Sequence, residues 1–158
     1  IIQMKQEEFI LKNIGIIRTP FQNKNEAPKQ GAFDPESEGT IELFEDYKEG
    51  LKDLEKFSHA ILIFYFHEIN EMKLTGIPPM DTEERGIFAI QGPQRPNHLG
   101  LTIVRIKEIK GTQIFVTGVD MLDKTPLLDI KPYIMELDSR NDAGSGWVKD
   151  LMGGNGQE

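Results

Sequence analysis

The sequence predicts a mostly β protein: a single small closed barrel with one short helix and long functional loops. Three observations lead there. Short apolar runs rich in β-branched and aromatic residues recur along all but the ends of the chain. Only one segment carries helical spacing. Long polar stretches broken by Pro and Gly separate the runs. Six or seven strands with so little helix to cover their edges favour closure, which removes the edges.

The elements follow in order. Residues 9–17 are apolar and β-branched and stop at Thr19-Pro20, a first strand closed by a turn. Residues 22–37 form a long polar loop with Pro28, Gly31 and Pro35. Residues 39–44 alternate Ile41 and Leu43 with Thr40 and Glu42, a half-buried strand. Tyr47, Leu51 and Leu54 at helical spacing predict a helix over 46–55. Residues 57–66 are almost continuously apolar, a strand buried on both faces, with His59 inside it as a core histidine. A second long loop spans 68–84, and 86–90 reads as a short strand. Residues 99–110 and 112–120 form a hairpin about Lys110-Gly111. A turn at 123–126 precedes a last strand over 129–137, interrupted at Pro132. Beyond 138 only Trp147, Val148 and Leu151 suit docking. The expected domain is 9–150, with flexible termini at 1–8 and 151–158.

Composition narrows the function classes. The 158 residues fit one domain. There is no cysteine, so thiolate nucleophiles, disulfides and cysteine-ligated metals are excluded, and a reducing, cytoplasmic setting suits the chain. The longest apolar run, 60–66, is too short to span a bilayer, so no membrane partner is expected. His59, His67 and His98 are not spaced as a metal motif, and no metal is expected. Phosphate-loop, dinucleotide and nucleophile-elbow patterns are missing. The formal net charge of −8 opposes general nucleic-acid affinity, so any RNA contact requires a local basic patch or a second subunit.

Two segments concentrate chemistry. In Gln94-Arg95-Pro96-Asn97-His98-Leu99-Gly100 a guanidinium, a rigid turn and an amide lie between strands, and Arg95 suits a carboxylate or phosphate as well as it suits a solvated turn. In Asp120-Met121-Leu122-Asp123-Lys124-Thr125-Pro126, Asp120 follows an apolar strand. Its carboxylate at a barrel mouth suits ribose hydroxyls or an amino group, or equally an Asx turn.

These segments carry a resemblance. Gly86-Ile87-Phe88-Ala89, Arg95-Pro96-Asn97, Leu99-Gly100-Leu101 and Val104-Arg105 resemble the signature of the TrmO-type (YaeB/TsaA-like) tRNA methyltransferases. So do Ile14-Gly15-Ile16-Ile17-Arg18-Thr19-Pro20-Phe21, Phe57-Ser58-His59, and Leu128-Asp129-Ile130-Lys131-Pro132-Tyr133. The match runs from about residue 14 to Trp147. It implies a TsaA-like barrel that binds S-adenosylmethionine (SAM), works as a homodimer with its site near the subunit interface, and methylates N6 of N6-threonylcarbamoyladenosine beside the tRNA anticodon. The cofactor contacts it implies are Pro28, Lys29, Gln30, His67, Glu68, Gln91, Leu101, Asp120, Met121, Leu122 and Asp123. Arg95, Lys131 and Tyr133 are expected to face the acceptor as catalytic residues. The chain departs from the family at Gln91 and Gly144, where Arg is usual, at Lys29 (Arg), at Glu68 (Gln) and at His98 (Pro). The alternatives are a SAM-dependent methyltransferase with a small-molecule acceptor, a SAM-binding module without catalysis, and a barrel interaction protein with a decayed site.

Overall fold

Alternating inward apolar residues build the barrel. The computed structural model describes residues 4–28, 31 and 34–152; Lys29, Gln30 and the chain ends at 1–3 and 153–158 lie outside the described residues. Strands β1 (Gly15–Arg18), β2 (Glu38–Leu43), β3 (His59–Tyr65), β6 (Leu99–Lys110), β7 (Gln113–Thr117) and β8 (Thr125–Pro132) close in the order β1-β2-β7-β6-β3-β8. Every pairing is antiparallel. A separate two-stranded sheet pairs β4 (Thr75–Gly76) with β5 (Arg85–Gly86) inside the second long loop.

Ile17, Ile41, Leu62, Val104, Ile114, Val116 and Leu127 fill the interior and are almost wholly buried. They alternate with exposed or half-buried neighbours, the period-2 signature of strands with one buried face. Gly111, at φ 61°, turns β6 into β7 in a left-handed conformation that glycine adopts freely.

Several expectations need correction. Phe9, Ile10 and Leu11 lie exposed outside any strand, and β1 begins only at Gly15. The expected helix over 46–55 is two 3-10 segments, Glu45–Leu51 and Leu54–Lys56, split where Asp53 takes φ 71°. The expected strand at 86–90 is the 3-10 turn Ile87–Ala89 following β5. The last strand starts at Thr125, so Pro126 lies in it, opposite Ile16 of β1. It ends at Pro132, and residues beyond form the short helices α1 (Met135–Asp138) and α2 (Gly146–Met152). His59 is not a core residue: Ala60, Leu62 and Phe64 take the inward positions of β3, which turns His59 outward.

Candidate functional site

The loop after β7 closes one end of the barrel and is bonded to the first loop. Asp120 accepts hydrogen bonds from the Thr102 hydroxyl of β6 (2.7 and 2.9 Å) and from the Gly31 N–H (2.9 Å). Burial pushes its carboxyl above the ordinary value of 3.8, against the lowering effect of the Thr102 and Gly31 bonds. Gly31 permits the approach. A Cβ there would collide with the Gly118 carbonyl oxygen, which is backbone and cannot swing aside. Three residues on, Asp123 Oδ1 accepts from the Thr19 N–H (3.1 Å), and the Asp123 N–H donates to the Phe21 carbonyl (2.8 Å). The Thr19 hydroxyl donates to the Met121 carbonyl (2.9 Å). Segments about 100 residues apart in sequence thus form one junction.

The expected cofactor residues divide around this junction. Asp120, Asp123 and the half-buried Leu122 form it, and half-buried Pro28 sits in the loop that leads to Gly31. Met121 is 3% exposed and belongs to the core, so its side chain is closed to a ligand. Lys29 and Gln30 lie outside the described residues. His67 and Glu68 follow β3, where His67 Nε2 lies 3.3 Å from Glu68 Oε1. Gln91 is exposed in the loop before β6. Leu101 is 61% exposed, on the opposite side of the barrel wall from its neighbour Thr102. One chain therefore does not bring the Leu101 side chain to the Asp120 carboxylate.

The expected acceptor residues are also separated. Arg95 Nη1 donates to the carbonyls of Ile90 (2.8 Å), Gly92 (3.3 Å) and Ile87 (3.4 Å). It ties the signature turn together, whereas the sequence suggested either a carboxylate or phosphate contact or a solvated arginine in a turn. His98, at φ 50°, continues that turn, with Nδ1 2.9 Å from the Pro93 carbonyl. A proline, fixed near φ −65°, cannot take this conformation, so the departure at His98 reshapes the turn. Trp147 of α2 donates Nε1–H to the Ala89 carbonyl (2.7 Å) beneath the Arg85 guanidinium, so the C-terminal helix docks on the same segment. Lys131 and Tyr133 lie elsewhere. The Tyr133 N–H bonds to the His59 carbonyl at the start of β3, whereas His67 follows the end of β3. Six strand steps put about 20 Å between those two ends.

Arg95→Ala should lower unfolding stability by about 1–3 kcal/mol, because three carbonyls lose a charged donor. Urea denaturation measures it, and Arg95→Lys should recover part of the loss. Unchanged stability with lost methyl transfer would return Arg95 to the acceptor.

Known proteins share this architecture. Residues 16–139 match the family model described as the tRNA-methyltransferase O N-terminal domain. The chain belongs to the TrmO family. It is 46% identical over 136 residues to a probable S-adenosyl-L-methionine-binding protein of Pyrococcus abyssi, covering 86% of this chain and 74% of that one. It is 35% identical over 133 residues to a human tRNA (adenine(37)-N6)-methyltransferase, covering 80% of this chain and 30% of the human protein. The crystal structure of TrmO from Pseudomonas aeruginosa superposes with a TM-score of 0.76 at 34% identity, covering 89% of this chain and 62% of that chain. The chain thus spans under two thirds of the TrmO structure that it matches. The closed six-stranded barrel is the TrmO architecture. Among the described residues no helix is long and apolar enough to cross a membrane.

Proposed function

We propose that this TrmO-family chain is a SAM-dependent tRNA methyltransferase whose acceptor is N6 of N6-threonylcarbamoyladenosine beside the anticodon. The observation that carries this reading is the junction in which Asp120 joins Gly31 and Thr102 at the barrel end. The names of the human and Pyrococcus relatives support it. The donor set fits the cofactor: Asp120 and Asp123 place two carboxylates at one barrel end, and SAM carries a sulfonium and an ammonium. Bound, SAM supplies an electrophilic methyl for in-line transfer. The chain contributes mainly placement. Asp120 and Asp123 orient the cofactor, and His67, held against Glu68, lines the approach from β3. The Arg95 staple keeps the signature turn rigid beside them.

The same reading includes a homodimer working in the cytoplasm. Cross-strand pairs Leu99–Tyr65, Leu101–Ile63 and Ile103–Ile61 form a continuous apolar stripe on the outer wall. Leu101 and Ile103 are 61% and 44% exposed, and an apolar surface of this kind favours a partner. A second copy is the partner that would return Leu101 to a shared site. Calorimetric titration with SAM, combined with sedimentation of Leu101→Lys, tests the reading. Stoichiometric SAM binding by a dimer that Leu101→Lys dissociates supports it. A monomer that binds no SAM overturns it.

A further inference from the structure

Arg105 and His59 belong to the signature stretches, yet neither has a part in the cofactor junction. Strand register places them together on the outer wall. His59 of β3 pairs with Arg105 of β6, and Ile61 pairs with both Ile103 of β6 and Lys131 of β8. Tyr133, just past β8, closes the row. Its N–H bonds to the His59 carbonyl at 3.0 Å, and its ring meets the His59 ring edge-on, centroids 6.3 Å apart. The Ser58 hydroxyl lies 2.7 Å from His59 Nδ1 and fixes the imidazole. Three adjacent strands therefore present a guanidinium, an imidazole, a phenol and an ammonium on one face. The nearest acidic residues in this strand grid are Asp129, one row beyond Lys131, and Glu38 of β2, across Thr117 from Arg105 and paired with Lys107.

The row is unusual in a protein of net charge −8. Among the described residues the barrel strands carry Arg18, Arg105, Lys107, Lys110 and Lys131 as cations. Arg18 pairs with Glu42, Lys107 with Glu38, and Lys110 with Glu108. Arg105 and Lys131 have no carboxylate partner among the described residues. A surface groove of about 580 Å³ between Arg18, Gly39, Lys107 and Phe115 contains only compensated cations. A polyanion approaching the barrel thus meets uncompensated charge at the Arg105–His59–Tyr133–Lys131 row.

The geometry points to this row as a docking surface for the RNA backbone. Arg105 and Lys131 neutralise phosphates, and the His59 and Tyr133 rings offer stacking faces to an unpaired nucleotide. The inference rests on the tRNA reading above, and deepens it. The row lies at the far end of β3 from His67 and outside the wall from Asp120, so it positions RNA rather than touching the transferred methyl. It also supplies the local basic patch that a net charge of −8 demands.

The test compares the dimeric wild type with Arg105→Gln/Lys131→Gln and with His59→Ala, using unfractionated tRNA as the probe across a salt series. The double variant should lower the slope of log affinity against log salt by about 1.4–1.8 and weaken binding about 25- to 60-fold at 0.1 M salt. SAM affinity and oligomeric state should stay at wild-type values. His59→Ala should weaken tRNA binding without changing the slope. An unchanged slope in a double variant whose parent methylates tRNA overturns the inference and leaves the methyltransferase reading standing. Dissociation of the double variant into monomers also overturns it, because the row would then be an interface between copies. tRNA binding that depends on Arg105 and Lys131 in a protein that transfers no methyl supports the row and overturns the reading. Absence of tRNA binding by the wild type overturns both.

Discussion

Asp120→Ala is expected to cost about 2–4 kcal/mol of stability and to weaken SAM binding about 30-fold or more. The substitution removes the acceptor shared by the Thr102 hydroxyl and the Gly31 N–H, and each buried donor left unpaired costs about 1–3 kcal/mol. Relief of a desolvated carboxylate offsets part of that. Asp120→Asn separates the two effects, since it keeps an acceptor and removes the charge. The pH dependence has a definite sign. The folded-state pKa lies above 3.8, so this group's contribution to stability is fully present below 3.8 and is lost as pH rises through the folded value. Asp120→Asn should flatten that part of the profile. SAM binding should run the other way. The cationic cofactor favours the ionised carboxylate, so affinity should fall as acid titrates Asp120, beginning above pH 3.8. Stability curves and SAM titrations for wild type and Asp120→Asn between pH 3 and 8 (a range of about five units, well beyond typical shifts) measure both slopes. Identical profiles would remove Asp120 from the site.

Gly31→Ala should produce the second large effect, and a more local one. The added methyl meets the Gly118 carbonyl oxygen, so the first loop must lift from the loop after β7. Overpacking of this kind costs about 1–3 kcal/mol. Because the strain falls on a loop at the barrel end, it should appear in ligand affinity, about 5- to 150-fold weaker SAM binding. The barrel core of Leu62, Val104 and Ile114 stays untouched, so the main unfolding transition should remain close to wild type. Calorimetry beside thermal unfolding checks this. Unchanged SAM affinity would show that the junction at Gly31 does not shape the cofactor site.

Much of the barrel was legible because its strands announce themselves locally. The apolar run at 57–66 contains β3, His59–Tyr65, and the hairpin about Gly111 joins β6 to β7 as the turn chemistry predicts. The misread elements are those that tertiary context decides. Phe9, Ile10 and Leu11 have strand-like composition but no neighbour to pair with among the described residues. Pro126 looks like a strand breaker, yet it lies within β8 opposite Ile16. Tyr47, Leu51 and Leu54 carry helical spacing, but Asp53 in a left-handed conformation divides the segment.

The site was legible in its residues and not in its geometry. The family resemblance implies cofactor contacts at 28–30 and 120–123, and among the described residues Asp120 and Asp123 meet the first loop and the end of β1 at one junction. No spacing rule reveals that Asp120 reaches Gly31 across 89 residues, or that Arg95 spends three bonds on its own turn. His59 lies inside an apolar run, and only the register of β3 turns it outward beside Arg105 and Tyr133. The same register separates Lys131 and Tyr133 from His67. A single chain therefore does not gather all the residues that the family resemblance implies for one site.

The reaction proposed for this chain is transfer of the SAM methyl to N6 of a modified adenosine in tRNA. The most direct measurement incubates the protein with methyl-labelled SAM and tRNA containing N6-threonylcarbamoyladenosine, then digests the tRNA and identifies the labelled nucleoside by mass spectrometry. The predicted result is label on N6 of that nucleoside alone, lost with Asp120→Ala. SAM binding with no labelled nucleoside in that tRNA, or in tRNA lacking the modification, would contradict the proposed transfer.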